Sequence, residues 1–280
     1  LLVATPNPLH PGLAEAAMER GLHVLVEKPL ANTLEECDRI VAAAERTGKQ
    51  VLVGHHRRHH ATVAAMKAML EGGAIGQTVS ATLLWAMRKP DGYFDVPWRQ
   101  GADGNPVRMN LIHEVDLLHH FLGQVVEIAA LGAAPVRDEG RIESGGAVLR
   151  FKSGAVATLA FADTTPSPWG FEAATGESPA IAKTAQDYLH VAGTEGAIGF
   201  PSLTLWRGAK DWSEAPLAEH RSVPANVPLV AQLEHFADVC RGATPRVSAA
   251  DGRAAVDVIL RIEDAIGTVG PRRLSVKEEV

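Results

Sequence analysis

The first 54 residues alternate between short apolar runs and longer amphipathic stretches. Apolar runs rich in β-branched residues lie at 1–6, 22–26 and 51–54, and each is short enough to be a buried strand. Helical patterns fill the two intervals, and the second interval opens with Thr33 and Glu36, a capping-box pair. This order predicts a β-α-β-α-β unit, in which helices cover a parallel sheet.

A glycine-rich turn after the first strand is typical of dinucleotide-binding folds. The local candidate, 72–76, follows a helical pattern at 63–70 and is typical of a helix end that leads into a strand. If the fold is of the dinucleotide-binding kind, we expect its first half to precede residue 1. That half would take roughly 60–70 residues, at about 30 per βαβ unit.

Beyond residue 76 the pattern changes to many short strands with few helices. Predicted strands lie at 78–84, 125–131, 146–151, 155–161, 188–192 and 197–200, and predicted helices at 111–122, 228–241 and 250–266. This pattern predicts an α+β domain with a large, mostly antiparallel open sheet. We therefore expect a nucleotide-binding unit over 1–54 and a substrate and oligomerisation domain over 55–280. Because a sheet cannot leave a broad apolar face in water, we expect a homo-oligomer, a dimer or a tetramer.

Composition narrows the class of protein. Hydrophobic residues make up 46% and charged residues 21% of the chain, which suits a globular protein with a sizeable core. The net charge of −6 argues against nucleic-acid and anionic-membrane partners. Two cysteines exclude a disulfide scaffold, and no apolar run has the length of a membrane span. No secretory signal pattern is present, so we expect a cytoplasmic protein.

Several motifs stand out along the chain. They are Ala4-Thr5-Pro6-Asn7 with His10, Glu27-Lys28-Pro29, Val53-Gly54 with Arg58, Gly104-Asn105-Pro106 with Asn110, His113-x-x-Asp116, and Asp251-Gly252 near the end. Together they resemble the Gfo/Idh/MocA oxidoreductases, which include glucose–fructose oxidoreductase and inositol dehydrogenase. The resemblance implies a Rossmann-type nucleotide-binding domain, here truncated at its N-terminus, followed by the α+β domain. It also implies a dehydrogenase or reductase that uses NAD or NADP on sugars, polyols or related cyclic alcohols.

The resemblance implies that Lys28 and His113 are the catalytic residues. It places Lys28 beside the substrate oxygen, where an ammonium lowers the energy of a developing alkoxide. It places the acid–base group at His113, because alcohol oxidation removes a proton as well as a hydride. It also implies a cis bond before Pro29. The residues expected near the cofactor are Thr5, Pro6, Asn7, His10, Glu27, Lys28 and Arg58, the last either there or at the domain junction.

One position departs from the family pattern. Many members carry an aspartate four residues before the catalytic histidine, and here that residue is Met109. Its neighbour Asn110 can hydrogen-bond a substrate hydroxyl but cannot accept a proton as a carboxylate does. The usual relay is therefore in doubt, which points to a different substrate or a modified proton path. Asp116 lies one helical turn beyond His113 and either orients its imidazole and binds substrate, or pairs locally.

Further candidates lie in a loop and in a histidine run. Tyr93, Trp98 and Arg99 belong to a loop, where aromatic rings beside an arginine suit a sugar ring or a carboxylate. The run 55–60 contains four histidines in two adjacent pairs, and adjacent histidines do not form the pattern of a helical zinc site, so we expect no metal.

Two rival functions remain open. A relative that holds NAD tightly could cleave glycosides through transient oxidation, with no net redox change. A non-enzymatic regulatory protein that binds a dinucleotide is the other alternative. Residues that select between NAD and NADP are not visible in the sequence.

Overall fold

The structure, a computed structural model, describes residues 1–101, 104–137 and 140–268. Its first sheet has three parallel strands in the order β1-β2-β3, and two helices connect them. These elements are β1 Leu2–Val3, α1 His10–Glu19, β2 Val24–Val26, α2 Leu34–Thr47 and β3 Val51–Val53. The predicted β-α-β-α-β order is confirmed.

The second interval forms its helix for the local reasons that its sequence indicates. The hydroxyl of Thr33 accepts a hydrogen bond from the amide of Glu36, and the Glu36 carboxylate accepts one from the amide of Thr33, both at 3.2 Å. Gly48 ends the helix at a φ of 64°, which suits a glycine. The strands on either side, β2 and β3, are buried along their whole length.

The second sheet has eight strands in the order β11-β10-β9-β8-β4-β7-β6-β5. They are β4 Thr78–Ala86, β5 Val125–Gly132, β6 Ser144–Phe151, β7 Val156–Ala162, β8 Leu189–Gly193, β9 Gly196–Phe200, β10 Thr204–Arg207 and β11 Leu217–His220. Neighbouring strands are antiparallel except for the central pair β4 and β7. The predicted large, mostly antiparallel sheet is confirmed.

Further α-helices follow β3 along the described part of the chain. They are α3 Ala61–Glu71, α4 Ile112–Leu122, α5 Phe171–Thr175, α6 Pro228–Cys240 and α7 Ala249–Thr268. Helix α7 packs on α2 and β3 of the first unit and on α4 and β5 of the second. A Cβ on Gly252 would lie 2.9 Å from the Val53 side chain, so a glycine allows this close approach. The division of the chain at residue 54 stays a prediction, since α7 ties both units together.

Three features were not predicted. β1 covers two residues rather than the six of the apolar run, because the chain turns away into a 3₁₀ turn at Asn7–Leu9. The β10–β11 hairpin has little apolar signal, and every residue of Leu217–His220 is exposed. A π-helical turn at Val107–Leu111 precedes α4, where the pattern indicated only the helix.

One face of the second sheet carries apolar side chains in the open. Leu131 is 55% exposed and Val148 is 46% exposed. With Thr82, Leu84 and Ala160 they line a broad depression over the β4–β7 region. Among the helices of the described residues, none is both long enough and apolar enough to span a membrane.

Candidate active site

Lys28 lies two residues beyond the carboxyl end of β2, at the edge where parallel α/β sheets place ligands. The Lys28–Pro29 peptide is cis. The amine Nζ donates a hydrogen bond of 3.2 Å to the backbone oxygen of Met109. Burial, assisted by the positive charge of Arg57, lowers the pKa of Lys28 to about 8. An amine with this pKa can hold or release a proton close to neutral pH.

His113 is the second residue of α4 and is 7% exposed. Its ring centroid lies 5.7 Å from that of His55 and 5.5 Å from that of His56. Its Nδ1 is buried and makes no hydrogen bond within the described part of the chain. Burial, and then the charges of Lys28 and Arg57, hold the pKa of His113 well below its usual value. The imidazole is therefore neutral at neutral pH and able to accept a proton.

The π-helical turn Val107–Leu111 sets the position of the catalytic candidates. Such turns add a residue to a helix and are frequent at functional sites. Asn105 and Arg108 anchor it by donating hydrogen bonds of 2.7 and 2.8 Å to the Glu263 carboxylate on α7. The backbone oxygen of Met109 accepts the lysine's hydrogen bond from inside this turn. The last helix thus holds the segment that carries His113.

Met109 stands where the family resemblance implies an aspartate. In its place, a backbone carbonyl holds the lysine amine. The Oδ1 of the neighbouring Asn110 is buried, with no hydrogen-bond partner among the described residues. A buried, unpaired acceptor is costly unless a ligand donor completes it. This orphaned atom supports the prediction that Asn110 contacts substrate.

Asp116 pairs with Arg58. Its carboxylate accepts three hydrogen bonds from the Arg58 guanidinium, at 2.7, 3.0 and 3.1 Å, and both side chains are buried. Burial opposes ionisation, but the charges of His55 and Arg58 outweigh it and lower the pKa of Asp116. Arg58 also donates to the backbone oxygen of Arg246. This pairing favours the local role for Asp116 over a substrate contact, and a junction role for Arg58 over a cofactor contact.

The histidine run 55–60 borders the site, because the rings of His55 and His56 lie beside that of His113. His55 and His59 are buried, and burial lowers the pKa of His55 to about 4 and that of His59 to about 3. His56 Nε2 lies 2.8 Å from the Glu177 carboxylate. Across residues 1–101, 104–137 and 140–268, no three His, Cys, Asp or Glu side chains are grouped so as to hold a metal ion.

The expected cofactor residues gather at the carboxyl end of β1. His10 is fully buried, and its two ring nitrogens lie 2.9 Å from the backbone oxygens of Thr5 and Pro29. It therefore joins two turns and has no ring nitrogen left for a cofactor. The Thr5 hydroxyl is buried and has no partner among the described residues. Pro6 is exposed and Asn7 half-buried on the same turn.

Glu27 lies at the same edge, where β2 ends. Its carboxylate accepts a hydrogen bond of 3.2 Å from the amide of Lys28. A Cβ on Gly54, directly after β3, would lie 3.0 Å from Glu27, so a glycine there allows the two strand ends to approach. The unpaired Thr5 hydroxyl and the three strand ends fit the nicotinamide end of a dinucleotide.

The loop after β4 brings its aromatic and basic residues together. The Arg99 guanidinium lies 4.3 Å from the Tyr93 ring centroid and 5.3 Å from that of Trp98. Lys89 Nζ lies 4.9 Å from the Tyr93 ring on the same loop. Trp98 is 51% exposed, whereas Tyr93 is half-buried. The three predicted residues thus meet each other, and Lys89 joins them.

A buried ion network beside Lys28 was missed by sequence analysis. Arg57 donates to Glu114 at 2.5 Å and to Glu172 at 2.6 Å. Tyr188 donates to the other Glu114 oxygen at 3.0 Å, and the Trp85 indole donates to Glu172 at 3.4 Å. Burial raises the pKa of Glu114 to about 7, against the opposing charge of Arg57. This network of buried, hydrogen-bonded side chains lies next to the candidate active site.

Parts of this network left a sequence signal. Glu114 directly follows His113 inside its motif, and Arg57 directly precedes Arg58. No local sequence signal indicated the contact between Glu172 and Arg57, because 115 positions separate them in the chain.

Comparison with known proteins decides the family. The model for the oxidoreductase family with an NAD-binding Rossmann fold matches residues 1–55. The model for the Gfo/Idh/MocA C-terminal domain matches residues 63–199. The chain belongs to the Gfo/Idh/MocA oxidoreductase family. The family assignment, the Rossmann-type first unit and the α+β second unit are thereby confirmed.

Curated relatives of this Gfo/Idh/MocA chain are named as reductases or dehydrogenases of sugars and of inositol. It is 31% identical over 225 residues to 1,5-anhydro-D-fructose reductase of Ensifer adhaerens, a match that covers 77% of this chain and 63% of the relative. It is 32% identical over 164 residues to a dTDP-3,4-didehydro-2,6-dideoxy-α-D-glucose 3-reductase of Streptomyces antibioticus, covering 58% and 49%. It is 26% identical over 132 residues to inositol 2-dehydrogenase of Salmonella typhimurium, covering 44% and 35%. The chain thus spans less than two thirds of each relative's length.

Solved structures share the family fold. A putative NADPH-dependent oxidoreductase from Desulfitobacterium hafniense superposes with a TM-score of 0.78 at 22% identity, covering 95% of this chain and 77% of the other. The WlbA dehydrogenase of Bordetella pertussis, in complex with NADH and UDP-GlcNAcA, gives 0.72 at 23% identity, covering 95% and 75%. At these identities the likeness shows the fold alone.

Proposed function

We propose that this protein is an NAD(P)-dependent oxidoreductase that transfers a hydride between a nicotinamide and a carbon of a sugar, polyol or cyclic diol. One observation carries the proposal. Lys28 and His113 lie 85 positions apart in sequence, yet the Lys28 amine donates a hydrogen bond to the backbone oxygen of Met109, four residues before His113. His113 is buried and Lys28 is partly buried, and desolvation lowers the pKa of both groups. Such paired perturbation is typical of acid–base sites.

In the oxidising direction, the neutral imidazole of His113 accepts the hydroxyl proton of the substrate. The Lys28 ammonium donates a hydrogen bond to the same oxygen and stabilises its developing negative charge. The Met109 carbonyl keeps that ammonium in place, and Asn110 Oδ1 accepts from a neighbouring hydroxyl. When bound, the nicotinamide supplies the hydride acceptor. Reduction uses the same residues in the reverse sense.

The residues that would hold the dinucleotide are those at the strand ends. Thr5, with its unpaired hydroxyl, faces the expected position together with Pro6 and Asn7. Glu27 borders the same edge beside the lysine. His10 supports the cofactor site indirectly, because its ring joins the turn at Thr5 to the turn at Pro29. Titration with NADH and with NADPH decides between the two cofactors.

Substitution of the two proposed catalytic residues tests this function. In the full-length gene product, we expect Lys28→Met and His113→Ala each to lower turnover by about 10²-fold or more. Melting temperature and cofactor affinity are the controls that separate lost chemistry from lost folding. Normal turnover in both variants would refute the assignment. Turnover without a change in nicotinamide absorbance would favour the rival glycoside-cleaving function.

The open apolar face of the second sheet supports self-association. Leu131 and Val148 are about half exposed there, and a contiguous apolar patch of this kind is typical of interfaces. A second copy of the chain is the proposed partner, and a monomer in light scattering at micromolar concentration would refute it. A cytoplasmic location stays a prediction.

A further inference from the structure

A second cluster of buried charges lies at one end of the central parallel pair of strands. Lys89 follows β4 and Asp163 follows β7, and the amide of Lys89 donates to the backbone oxygen of Asp163 at 2.9 Å. Glu143 directly precedes β6 and reaches the same end, since its backbone oxygen accepts from the amide of Asp163. Arg137 and Arg141 come from the connection between β5 and β6. The cluster is therefore built by the core of the sheet.

Of the two carboxylates of this cluster, Glu143 accepts hydrogen bonds at both oxygens, whereas Asp163 Oδ2 has only ion-pair contacts within the described residues. Glu143 accepts from the amides of Val136 and Arg137 at 2.7 and 2.8 Å, and from Arg141 at 3.1 Å. Asp163 accepts from the Arg137 guanidinium at 2.9 Å. Within the described residues, three cations thus face two carboxylates, which leaves one positive charge in excess.

The excess charge is carried by atoms without hydrogen bonds. Lys89 Nζ and one terminal nitrogen of Arg141 are buried with no hydrogen-bond partner in the part of the chain that the structure describes. Their side chains are 9% and 4% exposed. Lys89 Nζ is 3.7 Å from the Asp163 carboxylate, beyond hydrogen-bond reach. Arg141 is likewise 3.8 Å from the Asp163 carboxylate. Buried cationic donors that lack hydrogen bonds are costly even beside a carboxylate, so an anion is expected to complete the cluster.

Aromatic rings border the same space. The Tyr93 ring lies against Lys89 Nζ and the Arg99 guanidinium, at 4.9 and 4.3 Å. The Phe94 ring lies 4.1 Å from the Arg141 guanidinium. The Nε of Arg99 is also buried without a hydrogen bond among the described residues. Rings beside guanidinium groups suit a ligand that has both a ring and an anionic group.

Glu172 links this cluster to the proposed catalytic lysine. The charge of Glu172 raises the pKa of Lys28 and also that of Lys89, although burial lowers both. The Trp85 indole, which donates to Glu172, lies 5.9 Å from Lys89 Nζ by its ring. Glu172 itself accepts a hydrogen bond from Arg57. One ligand of sugar size could therefore lie near both lysines.

We propose that Lys89, Arg141 and Arg99 form a subsite that binds the carboxylate of the substrate, so that the protein acts on acidic sugars or polyols such as uronates and aldonates. This inference rests on the proposed oxidoreductase function and narrows its substrate class. The single excess positive charge matches a monoanionic carboxylate better than a phosphate dianion. Arg141 offers a planar guanidinium for the carboxylate, and Lys89 a point charge beside it.

Calorimetric binding to the full-length gene product tests the subsite without relying on turnover. The probes are D-glucuronate, D-gluconate, D-glucose and D-glucose 6-phosphate, each with and without NAD⁺ or NADP⁺. We expect an acidic sugar to bind roughly tenfold or more tightly than neutral glucose, since charged hydrogen bonds contribute that much. Lys89→Met and Arg141→Met should remove this preference, so that in each variant D-glucuronate and D-gluconate bind no more tightly than D-glucose does to the same variant. Arg150→Met, at an exposed arginine paired with Glu127, is the matched control and should keep it.

The outcomes separate this inference from the proposed function. Equal affinity for acidic and neutral sugars, no binding of either acid, or an unchanged preference in both variants would overturn the subsite. Preference for the sugar phosphate would overturn the carboxylate assignment. If Arg141→Met fails to fold, Lys89→Met and Arg141→Lys decide. Selective binding of acids without any hydride transfer would uphold the subsite and refute the oxidoreductase.

Discussion

The buried ion pair between Arg58 and Asp116 offers a sharp test of the fold around the site. Three nitrogen–oxygen contacts of 2.7 to 3.1 Å join the two side chains, which are 6% and 1% exposed. In Arg58→Met, the Asp116 carboxylate stays buried without its main partner. Removing one member of a buried pair typically costs about 3–5 kcal/mol, more than the pair itself contributes. We expect that loss in the free energy of unfolding.

Urea unfolding of the full-length gene product measures this loss, and a double-mutant cycle isolates it. Arg58→Met combined with Asp116→Leu removes both charges, so we expect the double variant to recover about 2 kcal/mol or more relative to the single one. The matched control is Arg207→Met, which breaks an exposed pair with Glu219 and should cost less than about 1 kcal/mol. A loss below about 1 kcal/mol in Arg58→Met would refute the reasoning.

Further predictions concern the catalytic lysine and two glycines. The rate of substrate oxidation should fall as pH rises through about 8, because the ammonium of Lys28 is present below its pKa and lost above it. A pH–rate profile measures this, and a rate that increases through that range would contradict the role of the lysine. Gly54→Ala should destabilise the fold by about 1–3 kcal/mol, since its Cβ would lie 3.0 Å from Glu27. Gly12→Ala lies in helix α1, where no atom is within 4 Å of the added Cβ, and it should instead stabilise the fold by about 0.5–1 kcal/mol. Thermal or urea unfolding compares the two variants, and equal effects on the free energy of unfolding would contradict the packing argument.

The first unit was largely predictable because its signals are local. Apolar runs separated by amphipathic stretches gave β1 to β3, and Thr33 with Glu36 gave the start of α2. The main helices of the second unit followed from the same periodicity. The β10–β11 hairpin did not, because every residue of its outer strand is exposed and lacks an apolar pattern.

The candidate site was only partly predictable. Lys28 and His113 were predicted as catalytic residues because family motifs surround them, and the Lys28 amine bonds to the turn that leads to His113. The pairing of Asp116 with Arg58 was not predicted, because it joins positions 58 apart. The Glu172 contacts also depend on long-range packing that no local pattern encodes. The π-helical turn before α4 is set by side-chain bonds to Glu263 on the last helix.

The central claim is that this Gfo/Idh/MocA protein binds a nicotinamide dinucleotide and uses it at Lys28 and His113. The most direct test is a fluorescence titration of NADH and of NADPH against the full-length gene product. We predict saturable binding of one of the two, followed by nicotinamide reduction with a sugar, polyol or sugar acid that Lys28→Met abolishes. If neither cofactor gave saturable binding, the proposed nicotinamide-dependent activity would be contradicted. The protein would then share the fold of its family without the proposed function.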